Sequence, residues 1–198
     1  MKKDLYGGIL FIVRKSEHMF EKVNITPLGM KILTFLARHP EQEFYMREIA
    51  KSINKSVGGT HKALKSLQTM AFVVEKKSGK NTYYMINVTN PSVKNFKIFM
   101  TTTELNQLIT DLKKITEKII LFGSCATGDD TSESDIDLFI LTQDTKKVND
   151  YLKKKRLERT IQAVVVNATG LVKLREKDKA FYQEINKGIL LRDGKNDE

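Results

Sequence analysis

Two apolar runs joined by a short polar spacer constrain this chain more than any other feature. Lys118 to Phe122 reads as a strand that stops at Gly123-Ser124. Ile136 to Leu141 reads as a second strand, entered through Ser134-Asp135-Ile136-Asp137-Leu138. Asp135 and Asp137 lie two apart on that strand and are expected to project from one face, while Ile136 and Leu138 turn to the other and anchor it in a core. Turn chemistry accounts for Gly128-Asp129-Asp130 but not for two acids inside an apolar strand. Carboxylate oxygens on one face suit hard divalent cations. Gly123 lets backbone approach an anion closely, and Ser124 offers a hydroxyl and an amide at the start of an expected helix whose N-terminus would face that anion. Gly128 gives the turn room to fold back.

The rest of the chain divides around this feature. Thr26-Pro27 caps a helix expected to run to about His39, with Leu28, Ile32, Leu33, Phe35 and Leu36 at helical spacing, and Pro40 stops it. Glu43-Phe44-Tyr45 leads to a second helix, about Met46 to Asn54, and a third runs to about Met70 with Leu64 and Leu67 buried. Ala71 to Lys76 and Thr82 to Val88 form a hairpin through Lys77-Ser78-Gly79-Lys80-Asn81. Three helices and a hairpin outline a winged helix-turn-helix over 1–92, followed by an expected linker at 93–103. From 104 to 198 helices and strands interleave: a helix near Glu104 to Thr116, the two strands above, a basic helix from about Lys146 to Arg156, a strand near Thr160 to Val166, helical segments at Leu171 to Arg175 and Lys179 to Asn186, and a last strand, Gly188 to Leu191. The fold class expected is α+β, an N-terminal winged helix-turn-helix followed by a small α/β unit with a mixed sheet.

Charge separates the halves. Residues 1–102 hold 17 Lys and Arg against 7 Asp and Glu, so the whole net charge of +10 lies there; residues 103–198 hold 17 of each sign. A basic half fits a polyanionic partner. One cysteine, Cys125, excludes an intrachain disulfide framework and fits a reducing cytoplasm. No His lies near it in sequence, so it reads as a small apolar filler rather than a nucleophile. The apolar run Leu5 to Val13 is broken by Gly7 and Gly8, too short to cross a bilayer and followed by no small-residue cleavage site. It reads as a buried strand or helix, and the chain as cytoplasmic with no membrane partner.

The run Leu121 to Gly128, with Ser134 to Ile140, resembles the nucleotidyltransferase superfamily of polymerase β, kanamycin nucleotidyltransferase and the minimal nucleotidyltransferases. That family's pattern is an apolar strand, Gly-Ser, about ten residues, then Asp-x-Asp in a second apolar strand, and every fixed position is filled here. The resemblance covers about 104–192. It implies that Gly123 and Ser124 hold the terminal phosphates of an NTP substrate, and that Asp135 and Asp137 are catalytic and hold Mg²⁺, with Mn²⁺ as an alternative. The family usually carries a third carboxylate on a later strand. Here Thr160 to Asn167 has no acid; Gln162 is the candidate for the equivalent position, and a neutral amide cannot accept a proton from an incoming hydroxyl. Glu158, the nearest acid, lies in the charged run Lys153 to Arg159, which reads as a solvated face.

In a helix-turn-helix the second helix of the motif enters the major groove. Its expected face is Ser56, Gly58, Gly59, His61, Lys62 and Lys65, with Lys77 and Lys80 on the wing for phosphate contact. Gly58-Gly59 weakens a helix interior by about 1 kcal/mol each relative to Ala, less in the first turn, where bare backbone can press on a phosphate. The same unit could instead be a dimerisation or protein-docking module. The order winged helix then minimal nucleotidyltransferase resembles archaeal and bacterial proteins of that layout. The function expected is NMP transfer from an NTP to an acceptor hydroxyl, coupled to DNA binding. The alternatives are a DNA-binding regulator whose nucleotide site senses without turnover, and an antitoxin-like chain that acts on a protein partner.

Overall fold

The computed structural model describes residues 24–194; the Leu5 to Val13 run lies outside them. The chain forms two compact units, Met1–Asn87 and Val88–Glu198, each described by itself.

In the first unit, α1 (Pro27–Ala37) starts at Thr26, whose hydroxyl accepts from the Gly29 amide, with Pro27 in the first turn. Strand β1 (Phe44–Tyr45), helix α2 (Met46–Ser52) and helix α3 (Val57–Thr69) follow, then β2 (Val73–Ser78) and β3 (Asn81–Ile86). Ser78 pairs with Asn81, so the hairpin turns through Gly79 and Lys80, with Gly79 at φ +59°. The three strands lie in the order β1-β3-β2, all antiparallel. Ile32, Leu33, Leu36, Ile49, Leu64, Leu67 and Ile86 are buried at 0–2% exposure. Three helices with a hairpin added to a short strand form a winged helix-turn-helix.

The second unit opens with the largest departure from the sequence reading. The stretch 93–103, expected as a linker, is the first half of a continuous helix, α4 (Pro91–Leu112). Asn90 caps it by accepting from the Ser92 amide, and Pro91 occupies its first turn. Its buried stripe reads Val93, Lys97, Thr101, Leu105, Leu108, Leu112. Then come β4 (Lys118–Phe122), the single turn α5 (Ser124–Thr127), β5 (Ile136–Leu141), α6 (Thr145–Lys154), β6 (Ile161–Val166), α7 (Ala168–Lys177), α8 (Lys179–Asn186) and β7 (Ile189–Asp193).

The sheet order is β6-β5-β4-β7, with β5 and β6 parallel and the other pairs antiparallel. Alternation along β5 sends Ile136, Leu138 and Ile140 to one face, packed with Leu105, Leu108 and Leu112 of α4 and Val148 of α6. Phe139 turns to the other face with Ile120 and Phe122 of β4, where Leu171, Leu174, Phe181 and Ile185 of α7 and α8 cover it. The unit is therefore a mixed sheet between two helical layers. No helix among the described residues is long and apolar enough to cross a membrane.

Candidate functional site

Strand β4 ends at Phe122, and the chain turns at once through Gly123, at φ +69° and ψ −157°. That backbone conformation is open essentially to glycine alone. A second reason excludes a side chain: a Cβ on Gly123 would overlap Asp137 Oδ2 and stand 3.2 Å from Asp137 Cγ. The bend and the carboxylate therefore abut. After Gly123, α5 has only four residues and ends at Gly128 in the left-handed region, φ +74°. So short a turn offers a phosphate its leading amide N–H groups and the Ser124 hydroxyl rather than the summed dipole of a long helix.

Asp137 pairs with Phe122 of β4 on one side and with Gln162 of β6 on the other. Asp135 sits one residue ahead of β5 rather than on it. It still meets the same row, because the Gln162 side-chain amide donates to Asp135 Oδ2 at 2.7 Å. Burial, reinforced by the charge of Asp135, pushes the Asp137 carboxyl above the usual carboxylate range. Two half-buried carboxylates that repel each other form an oxygen donor set suited to a divalent cation. No three His, Cys, Asp or Glu side chains converge on a metal-sized space among the described residues. Glu158 is exposed and lies ahead of β6.

Sequence reasoning missed the polar framework beneath the spacer. Lys97 of α4 is only 3% exposed; its ammonium donates to the Asp130 carbonyl and lies 3.2 Å from Asp130 Oδ1. Arg159, expected within a solvated run, reaches Asp130 Oδ2 at 3.1 Å, Thr101 Oγ1 at 2.8 Å and Glu104 Oε2 at 3.2 Å. It also donates to Cys125 Sγ at 3.3 Å, and that thiol in turn donates to the Asp135 carbonyl at 3.3 Å. Burial pushes the Cys125 thiol up to about 11, so it is a packed, protonated group and not a nucleophile. Asp129 is held by Lys94 at 2.5 Å. The spacer between the bend and the aspartates is thus clamped by α4 and by the residue that leads into β6. The visible signal was the polar content of the Lys97 to Glu104 stretch at helical spacing.

In the first unit, Ser56, Gly58, His61, Lys62 and Lys65 of α3 are exposed, as are Lys77 and Lys80 of the hairpin. Ser56 is also the cap of α3, accepting from the Gly59 amide at 3.3 Å. Gly59 corrects the expected outer face. It turns inward, where a Cβ would stand 3.3 Å from Leu28 of α1, so its bare backbone serves helix packing. Lys76 is paired with Glu43 at 2.6 Å.

No curated protein matches the chain. Among solved structures it is similar to the homodimeric winged helix-turn-helix DNA-binding domain Mb0332 from Mycobacterium bovis, at 18% identity and a TM-score of 0.35, covering 55% of this chain and 93% of that one. It is similar also to the adhesin competence repressor of Streptococcus pyogenes, at 20% identity and a TM-score of 0.35, covering 58% of this chain and 85% of that one. Lactococcus lactis ZitR, as an E41A mutant, matches at 23% identity and a TM-score of 0.36 over 48% of this chain and 64% of that one. At such scores the likenesses decide nothing, and the winged topology stands on its element and strand order. Residues 103–197 match the family described as "Polymerase beta, Nucleotidyltransferase", and the second unit of this chain carries a nucleotidyltransferase domain of that type.

Proposed function

We propose that the second unit is a metal-dependent nucleotidyltransferase that moves an NMP group from an NTP to an acceptor hydroxyl. Gly123 and Ser124 hold the terminal phosphates, and Asp135 and Asp137 hold Mg²⁺ or Mn²⁺. When bound, the cation supplies positive charge that offsets the phosphates. The acceptor oxygen bonds to the α-phosphorus, the bond from that phosphorus to the α–β bridging oxygen breaks, and pyrophosphate leaves. The hydroxyl proton passes to solvent, since the Gln162 amide cannot take it. The Gly123 backbone keeps the phosphate end against the carboxylates, and the clamped spacer fixes their separation.

One observation carries this reading. The bend at Gly123 leaves no space for even a methyl group before Asp137, so phosphate and carboxylate-bound cation would be neighbours. Incubation with each α-labelled NTP and Mg²⁺ should place label on the protein or on an added acceptor. Labelling unchanged in Asp135→Ala/Asp137→Ala would remove the assignment.

A specific observation also favours a second reading. Gln162 lies beside Asp137 and offers Asp135 a hydrogen bond instead of a charge. A site so altered suits a nucleotide sensor without turnover, in which nucleotide modulates DNA binding by the first unit. DNA as that unit's partner rests on the exposed lysines of α3 and the hairpin and on the unit's basic balance, 15 Lys and Arg against 7 Asp and Glu in residues 1–87. Cytoplasmic location and a protein partner or homodimer complete the proposal.

A further inference from the structure

We infer that the Asp135–Asp137 site takes one divalent cation rather than two, and that Gln162 sets this count. The inference rests on the nucleotide-site reading above and concerns its stoichiometry.

The acids near the bend fall into two groups. Asp129 is neutralised by Lys94 at 2.5 Å, and Asp130 by Lys97 at 3.2 Å and Arg159 at 3.1 Å. Asp130 is buried besides, so neither is a free cation ligand. Asp135 and Asp137 remain, with a combined charge that matches a single divalent ion. Glu133 and Glu158 are exposed and lie outside β5 and β6.

A second cation about 4 Å from the first would repel it four times as strongly as two unit charges do. It needs an anionic ligand of its own. The place for one is the strand position beside Asp137, which is Gln162. Its orientation there follows from chemistry. An ionised carboxylate only accepts hydrogen bonds, so the amide must turn its NH₂ group to Asp135, as it does at 2.7 Å. That contact occupies one carboxylate oxygen and presents donor hydrogens where a cation would need lone pairs. Gln162 is exposed and its strand pairing runs through backbone groups, so a change of side chain leaves the fold intact.

Equilibrium dialysis of the full chain with Mn²⁺ and α,β-methylene analogues of ATP, GTP, CTP and UTP, in turn, counts bound cations. We expect one Mn²⁺ per bound nucleotide in the wild-type chain, one in Gln162→Ala, and two in Gln162→Glu. Manganese electron paramagnetic resonance should show spin–spin broadening only in Gln162→Glu. Two Mn²⁺ in the wild-type chain would overturn the single-cation inference while leaving the nucleotide site standing. One Mn²⁺ in Gln162→Glu, with a native circular dichroism spectrum, would overturn the role given to Gln162. No Mn²⁺-dependent uptake of any analogue would instead sink the nucleotide-site reading itself.

Discussion

Replacing Gly123 by Ala tests the geometry on which the site depends. The residue stands at φ +69° and ψ −157°, where a non-glycine residue costs about 1–3 kcal/mol. The added methyl would also overlap Asp137 Oδ2 and stand 3.2 Å from Asp137 Cγ, so the carboxylate must rotate or the bend must open. Opening the bend adds strain of about 1–3 kcal/mol, the usual scale of overpacking, so the two costs together centre on about 4 kcal/mol. For a domain near 100 residues each kcal/mol moves the midpoint by about 4–8 °C, so the second unit should melt about 16–32 °C lower. If Asp137 rotates instead, the melting loss shrinks but Mn²⁺-assisted nucleotide binding disappears. Calorimetry and dialysis together cover both outcomes. Gly58→Ala is the matched control. Nothing lies within 4 Å of a Cβ there, and reduced unfolded-chain entropy should stabilise the first unit by about 0.4–1 kcal/mol. A Gly123→Ala chain with wild-type melting and wild-type Mn²⁺–nucleotide binding would refute the claim that bend and carboxylate abut.

Arg159→Ala leaves Asp130 and Glu104 without their shared guanidinium, and loss of one partner from a mostly buried ion network costs about 3 kcal/mol; urea denaturation showing under about 1 kcal/mol would place the network at the solvated extreme. Because burial holds the Asp137 carboxyl above the usual range, the fold binds that proton more tightly than the unfolded chain does. Stability of the cation-free protein should therefore fall as pH rises through the shifted pKa, and Asp137→Asn should flatten this dependence and raise the neutral-pH midpoint while abolishing Mn²⁺ uptake. A midpoint that rises with pH in the wild type and is unaffected by Asp137→Asn would contradict the burial argument. Lys77→Ala/Lys80→Ala should lower the slope of log affinity for duplex DNA against log salt by about 2 if both hairpin lysines meet phosphates; an unchanged slope would exclude them from the contact.

The readability of this sequence varied with the kind of pattern each segment carries. Strands β4 and β5 could be bounded to the residue, because each is a continuous apolar run cut off by Gly123-Ser124 or by the polar spacer. The start of helix α1 is equally plain from Thr26-Pro27, while its end at Ala37 falls two residues short of the expected His39. The first half of α4 was hidden for a physical reason. Its buried positions include Lys97 and Thr101, so hydrophobic periodicity fails where the inward face is polar. Those side chains can be buried because Asp130 and Arg159, 33 and 58 residues away, partner them. The polar spacing from Lys97 to Glu104 is visible locally, but partners at such separation are not. Asn90-Pro91 is a helix start, although the winged unit expected over 1–92 takes it in as its end. Arg159 was likewise lost in a run of charge, since composition does not reveal which member of a basic cluster turns inward. For the site, spacing pointed to Gly123, Ser124, Asp135 and Asp137, and Gln162 entered only through the family resemblance, as the residue at the position of its third carboxylate. The Gln162–Asp135 hydrogen bond and the Gly123–Asp137 approach arise only in the fold, where β5, β6 and the bend come together.

The inward-facing lysine of α4 also bears on where the second unit can be cut. A fragment starting at Glu104 would keep both strands and both aspartates yet lack Lys94, Lys97 and Thr101. Its bend-to-aspartate segment would then lose the tethers from Lys94 and Lys97, Arg159 would lose its bond to Thr101, and Asp130 would keep Arg159 alone of its two cationic partners. A fragment starting at Val88 keeps the cap at Asn90 and every one of those tethers. In this chain, the residues that resemble a spacer between units are structurally the opening segment of the second one.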